Sequence, residues 1–485
     1  MKDLKSKGIK AFVWDFLGKL ATQGTGFIVT IFLARLLEPS DFGLIAMLMV
    51  VVGVAQVFTD VGLGGALIQR RKLLEVHYSS VFYFNISIGT LLTCITFFSA
   101  KFIADFYDDQ ALIPLMQAIS FLFIINSFSS VQAIRLRKQL NYALLTKVSF
   151  VSSLLSGIVG VILAFNGAGV WSLVAQVISQ GLFYNLMLWK VTDWLPSLSF
   201  SFKALKQLWG FGFRMFLVGL IEAVSTKLDF LIIGKLFPVS TLGYFQRAKS
   251  LNALVIQYTS GSLMSVLFPL LSQVQSDLFR LREIIIQCLN ILTFTVFILI
   301  GCLYLSSEEV IVFLFSDKWL PSVPYVELLM ISAFAFPINA LLVNVLSSRG
   351  NSKSFLKMSV VKKTIFFANL GLAFNWGIEG YLIGLIIVSL INTSITIYFI
   401  SREVTVPYML LLKPIVFQMA ISLSALLPVI FLSNLLMLHY FVGFIFKTSV
   451  FVLFFIGLNF LFKTDSWFSV VQQISPFYKK YSKRN

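Results

Sequence analysis

Apolar runs, each long enough at about 20 residues to cross a bilayer, alternate with short polar breaks along the whole chain. Fourteen are read, near 11–36, 42–69, 78–104, 111–134, 144–165, 168–190, 208–237, 241–271, 282–305, 322–347, 355–375, 377–400, 411–433 and 437–462. Breaks such as "FNGAGVW" (165–171) and "FNWGIEGY" (374–381) predict tight turns between antiparallel helices. A membrane β-barrel would instead alternate apolar and polar positions over about 10 residues. The pattern predicts an all-α polytopic membrane protein of about 14 transmembrane helices. The run following the basic "MKDLKSKGIK" carries no small-x-small cleavage pattern, so it is read as a retained first span.

Composition agrees with that reading. The chain is 58% hydrophobic and 12% charged, against roughly a quarter charged in a soluble domain. Its net charge of +17 would suit nucleic acid only if the basic residues shared a soluble face. They lie between apolar runs instead, so no nucleic-acid partner is expected. Basic residues gather at the N-terminus (Lys2, Lys5, Lys7, Lys10) and in the even-numbered loops: Arg70, Arg71, Lys72; Arg135, Arg137, Lys138; Lys190, Lys203, Lys206; Arg280, Arg282; Arg349, Lys353, Lys357; Arg402. They gather again at the C-terminus, at Lys479, Lys480, Lys483 and Arg484. Odd loops hold fewer (Arg35, Lys101, Lys235, Lys318) and carry acids such as Asp105, Asp108, Asp109, Glu308 and Glu309. The positive-inside rule then places both termini in the cytoplasm. Cys94, Cys288 and Cys302 sit in apolar runs without CxxC spacing, and His77 and His439 are far apart. No metal site, disulfide framework or cofactor is expected.

The chain echoes itself at an offset of 200 residues. Ala34-Arg35-Leu36-Leu37 aligns with Gly234-Lys235-Leu236-Phe237, Ser40 with Ser240, Phe42 with Leu242, and Gly43 with Gly243. Six spans separate the copies, so the repeat keeps its orientation and its axis lies along the membrane normal. The expected organisation is an N-lobe at 1–206 (spans 1–6), a C-lobe at 207–400 (spans 7–12), and spans 13 and 14 with a basic tail at 401–485.

The stretches "FLARLLEPSDFGLIAM" (32–47), "FTDVGLGGALIQRR" (58–71), "LDFLIIGKLFPVSTLGYFQRAKSL" (228–251) and "LFPLLSQVQSD" (267–277) resemble the bacterial polysaccharide and O-antigen flippases. Those belong to the multidrug/oligosaccharidyl-lipid/polysaccharide exporter superfamily, and the resemblance covers roughly residues 1 to 400. It implies a fourteen-helix, two-lobed transporter of the bacterial cytoplasmic membrane with no catalytic residue. The implied cargo is an oligosaccharide on a polyprenyl pyrophosphate. Implied partners are that lipid-linked oligosaccharide, membrane lipids and polysaccharide polymerase machinery. The resemblance carries over no catalytic motif, so candidate sites rest on physical argument.

A charge at mid-membrane costs about 2.5–3.5 kcal/mol on insertion scales, and persists when paired or facing water. In the hairpin 228–251, Asp229 lies at the depth of Arg247 to Lys249, roughly 12 Å below the outer helix ends. Asp229 with Arg247 or Lys249 reads as a structural ion pair, and the spare cation reads as a ligand for an anionic headgroup. Glu222, Ser225 or Thr226, and Asp229 share one helical face, and Lys227 lies beside it. In span 1, Asp15, Lys19 and Gln23 run along one side. There Lys19 either pairs with Asp15 or snorkels, or it lines a cavity. Headgroup candidates are therefore Lys19, Lys227, Arg247 and Lys249. Cavity-polar or ion-coupling candidates are Asp15, Gln23, Asp60, Glu222 and Asp229, the coupling ion (proton or sodium) being left open. Lys362 and Lys363 read as interface anchors. Pro337 removes a backbone donor within span 10, predicting a kink, either static or a hinge.

Three function classes differ in what they need from such a chain. A lipid-linked oligosaccharide flippase needs cations for pyrophosphate and alternating access to a wet chamber. A cation-coupled multidrug exporter of the same fold needs acidic and aromatic walls. A membrane transferase or polymerase needs a large extramembrane loop or a carboxylate/His constellation, and neither is found. The balance of buried bases favours the flippase, with the drug exporter as the alternative.

Overall fold

The computed structural model describes residues 2–273, 277–349, 351–435 and 439–482, with side chains at 14, 17–256, 277–349, 351, 353–433 and 439–473. The Asp15 side chain, the terminal lysine clusters and most of the 267–277 motif lie outside these. The chain divides into two compact units, Met1–Gln246 and Arg247–Asn485. Among the described residues, all regular structure is helical.

The first unit holds α1 (Lys2–Leu36), α2 (Pro39–Asp60), α3 (Leu63–Gln69), α4 (Glu75–Phe98), α5 (Ala100–Tyr107), α6 (Leu112–Lys138), α7 (Tyr142–Phe165), α8 (Val170–Val191), α9 (Phe202–Leu236) and the start of α10 (Val239–Gln273). The second holds the rest of α10, α11 (Leu278–Leu305), α12 (Ser307–Phe315), α13 (Val323–Ala333), α14 (Ala335–Ser348), α15 (Ser352–Leu372), α16 (Gly377–Val404), α17 (Tyr408–Leu435), α18 (Tyr440–Leu461) and α19 (Asp465–Ser482). Ten stretches among the described residues are long and apolar enough to cross a membrane. Two of them, Asp317–Ser348 and Lys353–Val404, contain more than one helix. The order of elements repeats: a 35-residue helix opens each series (α1, α9), and a short helix follows the third long one (α5 after α4, α12 after α11).

Local chemistry sets the helix ends. Pro39 at the first turn of α2 supplies a fixed φ where no donor is needed, and the Glu38 N–H donates to Asp41 Oδ2 at 3.0 Å. Side chains of Asn141, Ser201, Asp277 and Asn351 accept N–H groups from the first turns of α7, α9, α11 and α15, as good N-caps do. Besides the break at Ser99 between α4 and α5, two predicted spans are broken. Between α2 and α3, Val61 (φ 44°) and Gly62 (φ 70°) are left-handed, and Asp60 Oδ1 accepts the Gly64 N–H at 2.9 Å. A Cβ on Gly62 would come within 2.1 Å of Gly212 O, so both the conformation and α9's backbone demand glycine there. The second break is at Phe334, between α13 and α14. Pro337, three residues on, offers no N–H to Ala333, which is the bond a continuous helix would need.

A compact core closes one end of the first unit. Leu63, Leu67, Val81, Phe82, Val131, Trp194 and Leu208 are buried together. Phe82 meets Trp189 and Trp194 edge-on, at 6.0 and 5.8 Å, a geometry favoured by the ring quadrupole. At α9's other end, Lys235 pairs with Asp108 beside α5 and lies over the Phe106 ring at 5.5 Å.

The two echoed turns meet reciprocally. A Cβ on Gly43 would lie 1.9 Å from Val239 O, and one on Gly243 would lie 1.9 Å from Pro39 O. At the 200-residue offset, Pro39 corresponds to Val239 and Gly43 to Gly243, so each partner makes the other's contact, as across a two-fold axis. Only glycine permits backbones this close. Gly43→Val or Gly243→Val is expected to lower the apparent Tm of the purified protein by several degrees, overpacking costing about 1–3 kcal/mol or more. Gly24→Ala, at a position with nothing within 4 Å, is the control and should leave Tm unchanged or raised, as read by fluorescence-detected thermal unfolding.

Candidate functional site

Within the first unit a cavity of about 260 Å³ is lined by Gly18, Lys19, Thr22, Gln23, Arg137, Tyr142, Leu145, Thr146, Ser149 and Tyr184. Helix α1 supplies Lys19, Thr22 and Gln23, which recur at helical spacing and so share a face. It is held against α7 by Thr146 Oγ1, which donates to Trp14 O at 2.9 Å. Arg137 comes from the last turn of α6, where a cation also complements the helix dipole. Tyr142 opens α7, and Tyr184 lies on α8. Two cations therefore converge on one small chamber whose other polar walls are hydroxyls and an amide. Among the described residues, no carboxylate lines it. A guanidinium grips phosphate oxygens in pairs while an ammonium acts as a point charge. The chamber is smaller than the usual ligand pocket, so it suits a charged headgroup, not a whole oligosaccharide.

Sequence reasoning marked Lys19 and Gln23 and missed Arg137, which served only as a mark of topology. Its neighbour Arg135 lies about 200° around the same helix. That residue faces a separate cavity of about 600 Å³, where it binds both oxygens of Glu75 at 3.0 Å. Trp194 Nε1 donates to the same carboxylate at 2.8 Å, and the Arg135 guanidinium lies 4.8 Å from the Tyr78 ring centre. One arginine is thus committed to structure while the other points into the basic chamber.

None of the remaining candidates is among the chamber's lining residues. Lys227 lays its stem over Gly53 of α2 and its ammonium 5.6 Å from the Phe230 ring centre. Asp229 is buried and accepts the Phe230 N–H at 2.9 Å. Glu222 is exposed, and its carbonyl accepts the Thr226 hydroxyl at 2.9 Å. Asp60 caps α3. Arg247 and Lys249 belong to the second unit. There Arg247 is buried over Phe315 and Trp319, at 5.0 and 5.2 Å from the ring centres, and Lys249 is half-buried. Pro337 is buried within the first turn of α14.

Lys362, read from the sequence as an interface anchor, also joins a polar network. It stands ten residues from either end of α15 (352 to 362 and 362 to 372), about 15 Å from both. Its ammonium donates to Asn339 Oδ1 at 3.1 Å. Asn339 Nδ2 donates to Thr393 Oγ1 at 3.0 Å, and the Thr396 hydroxyl bonds Asn339 Oδ1. The sequence placed the lysine on the right helix but carried no signal for a polar network joining α14, α15 and α16.

Comparison with known proteins follows the same lines. A family model described as "Polysaccharide biosynthesis protein" matches residues 32–324, more than half of the chain. An uncharacterised membrane protein in the cps region of Klebsiella pneumoniae is 25% identical over 412 residues, covering 83% of this chain and 84% of that one. The succinoglycan biosynthesis transport protein ExoT of Rhizobium meliloti is 26% identical over 321 residues, covering 66% and 65%. Among solved structures, the lipid II flippase MurJ in an inward closed conformation superposes with a TM-score of 0.69 at 15% identity, over 93% of this chain and all of the other. At that identity the likeness is one of fold.

The chamber's chemistry can be tested alone. Farnesyl pyrophosphate is expected to bind the nanodisc-embedded protein, and Arg137→Ala to weaken it about tenfold or more, the scale of a lost charge-assisted hydrogen bond. Arg137→Lys should fall between, and unchanged affinity in Arg137→Ala, measured by isothermal titration, would remove the chamber as a headgroup site.

Proposed function

The chain belongs to the family of polysaccharide biosynthesis proteins, and on that premise we propose that it flips a polyprenyl-pyrophosphate-linked oligosaccharide across the bacterial cytoplasmic membrane. The flipped unit feeds surface polysaccharide synthesis, whether O-antigen, capsule or exopolysaccharide. The observation that carries this reading is the convergence of Lys19 and Arg137 on one chamber with no carboxylate among its described lining residues, in a chain otherwise built for lipid. A cation-coupled drug exporter would want acids there.

In this reading Arg137 grips the pyrophosphate, Lys19 neutralises it, and Gln23, Thr22, Tyr142 and Tyr184 offer hydrogen bonds to phosphate or the first sugar. The prenyl tail stays in hydrocarbon, where burial of its methylenes opposes release. Transfer makes and breaks no covalent bond, so the protein is a transporter and not an enzyme. Orientation is part of the proposal: fourteen spans, both termini cytoplasmic, lobes at 1–206 and 207–400, and two added spans at 401–485. The basic end of α6 then opens the chamber toward the side where the cargo is made. Polymerase machinery would take the product on the far side.

Deletion of the gene in its host should abolish the surface polysaccharide, and the wild-type gene should restore it. Lys19→Ala with Arg137→Ala, at matched membrane levels, should restore little. Full polysaccharide from the double variant would discard the chamber, while loss of drug resistance without loss of polysaccharide would favour the exporter.

A further inference from the structure

A second built site lies in the other unit, where α17, α18 and α19 meet α11. The loop between α18 and α19 and the facing side of α17 enclose a cavity of about 90 Å³ that includes Asn290, Lys413, Gln418, Lys463, Thr464 and Ser466 in its lining. Gln418 is fully buried. Its Nε2 donates to Asn459 Oδ1 at 2.7 Å, and the same oxygen accepts the Thr464 hydroxyl at 2.7 Å. Asn459 Nδ2 is in turn committed to Phe455 O at 2.9 Å. This chain of bonds fixes the orientation of the Gln418 amide, because a flip would set two oxygens face to face. Its Oε1 is then left buried without a partner among the described residues. An orphaned acceptor costs about 1–3 kcal/mol, so the site calls for a donor.

Among the described residues, its charged lining is two lysines against one carboxylate, that of Asp465, which leaves one positive charge in excess. Lys463 is exposed at the rim, and Lys413 lies opposite, bound to Asp465 at 3.0 Å. The 18-residue α19 begins at the cavity, and its amino end attracts negative charge. Phe417 and Phe462 also line the cavity, meet edge-on at 6.4 Å and are 42% and 58% exposed. They give the rim an apolar flank where acyl chains can lie.

We propose that this cavity holds the headgroup of a membrane phospholipid that couples a phosphate to a hydrogen-bond donor. The phosphate sits against Lys463 and the first turn of α19, and the donor reaches Gln418 Oε1. Phosphatidylglycerol meets both demands, phosphatidylcholine lacks the donor, and inorganic phosphate lacks the chains.

Native mass spectrometry of the full-length protein, released from detergent with each lipid added in turn, tests the assignment. Phosphatidylglycerol should be retained over phosphatidylcholine. Lys463→Gln, an exposed change that spares folding, should weaken retention about fivefold, the scale of one basic residue near an anionic surface. Gln418→Leu should erase the preference between the two headgroups. Equal retention of both lipids by the wild type would overturn the proposal, as would a preference that survives in both variants. Displacement of the lipid by millimolar inorganic phosphate would reassign the site to a soluble anion.

Discussion

Hydrocarbon offers no water to a polar group, and the rest of this structure follows from that constraint. Where the helical ladder stops inside an apolar run, a side chain or a turn takes over. Asp60 accepts the N–H of Gly64 across the α2–α3 break. At Phe334 the ladder lapses where Pro337 has no donor to give. Hydroxyls along α9 turn back on their own backbone, as Ser225 does to Ile221 O at 2.6 Å. Polar residues in such a chain are therefore mostly accounted for, and cations that converge on one cavity stand out.

The cations illustrate the sorting. Arg247 rests on two aromatic rings, Lys235 on an acid and a ring, Arg135 on an acid and two rings, and Lys362 on an amide. Each arrangement replaces hydration by something fixed, whether a π face, a carboxylate or a carbonyl. Lys19 and Arg137 line one chamber together. Charge alone did not distinguish these fates, because the neighbours that decide them come from distant parts of the chain.

What could be read from the sequence follows the same division. Periodicity and length report depth and face, and these placed each apolar run on helix and set Lys19 and Gln23 on one side of α1. The repeat was visible because its turns are short and must keep Gly43 and Gly243. Arg137 was hidden among Arg135 and Lys138, three basic residues that share a topological meaning and yet point in different directions. The short helices α5 and α12 and the break at Val61 were also invisible. The break before α5 and the one at Val61 interrupt apolar runs without changing their composition, α12 lies in the gap between two runs, and Val61 is a residue type that rarely adopts positive φ. The Lys362 network needed three helices to be packed before it existed.

The reciprocal meeting of the turns at 39–43 and 239–243 constrains length as well as residue type. Insertion or deletion of one residue in either turn would rotate the following helix by about 100° and swing a bulky side chain into the place of glycine. The two turns are thus metrically tied: each can change its length only if its counterpart changes in step. Drift in loop size, tolerated elsewhere on the chain's surface, is barred at this crossing.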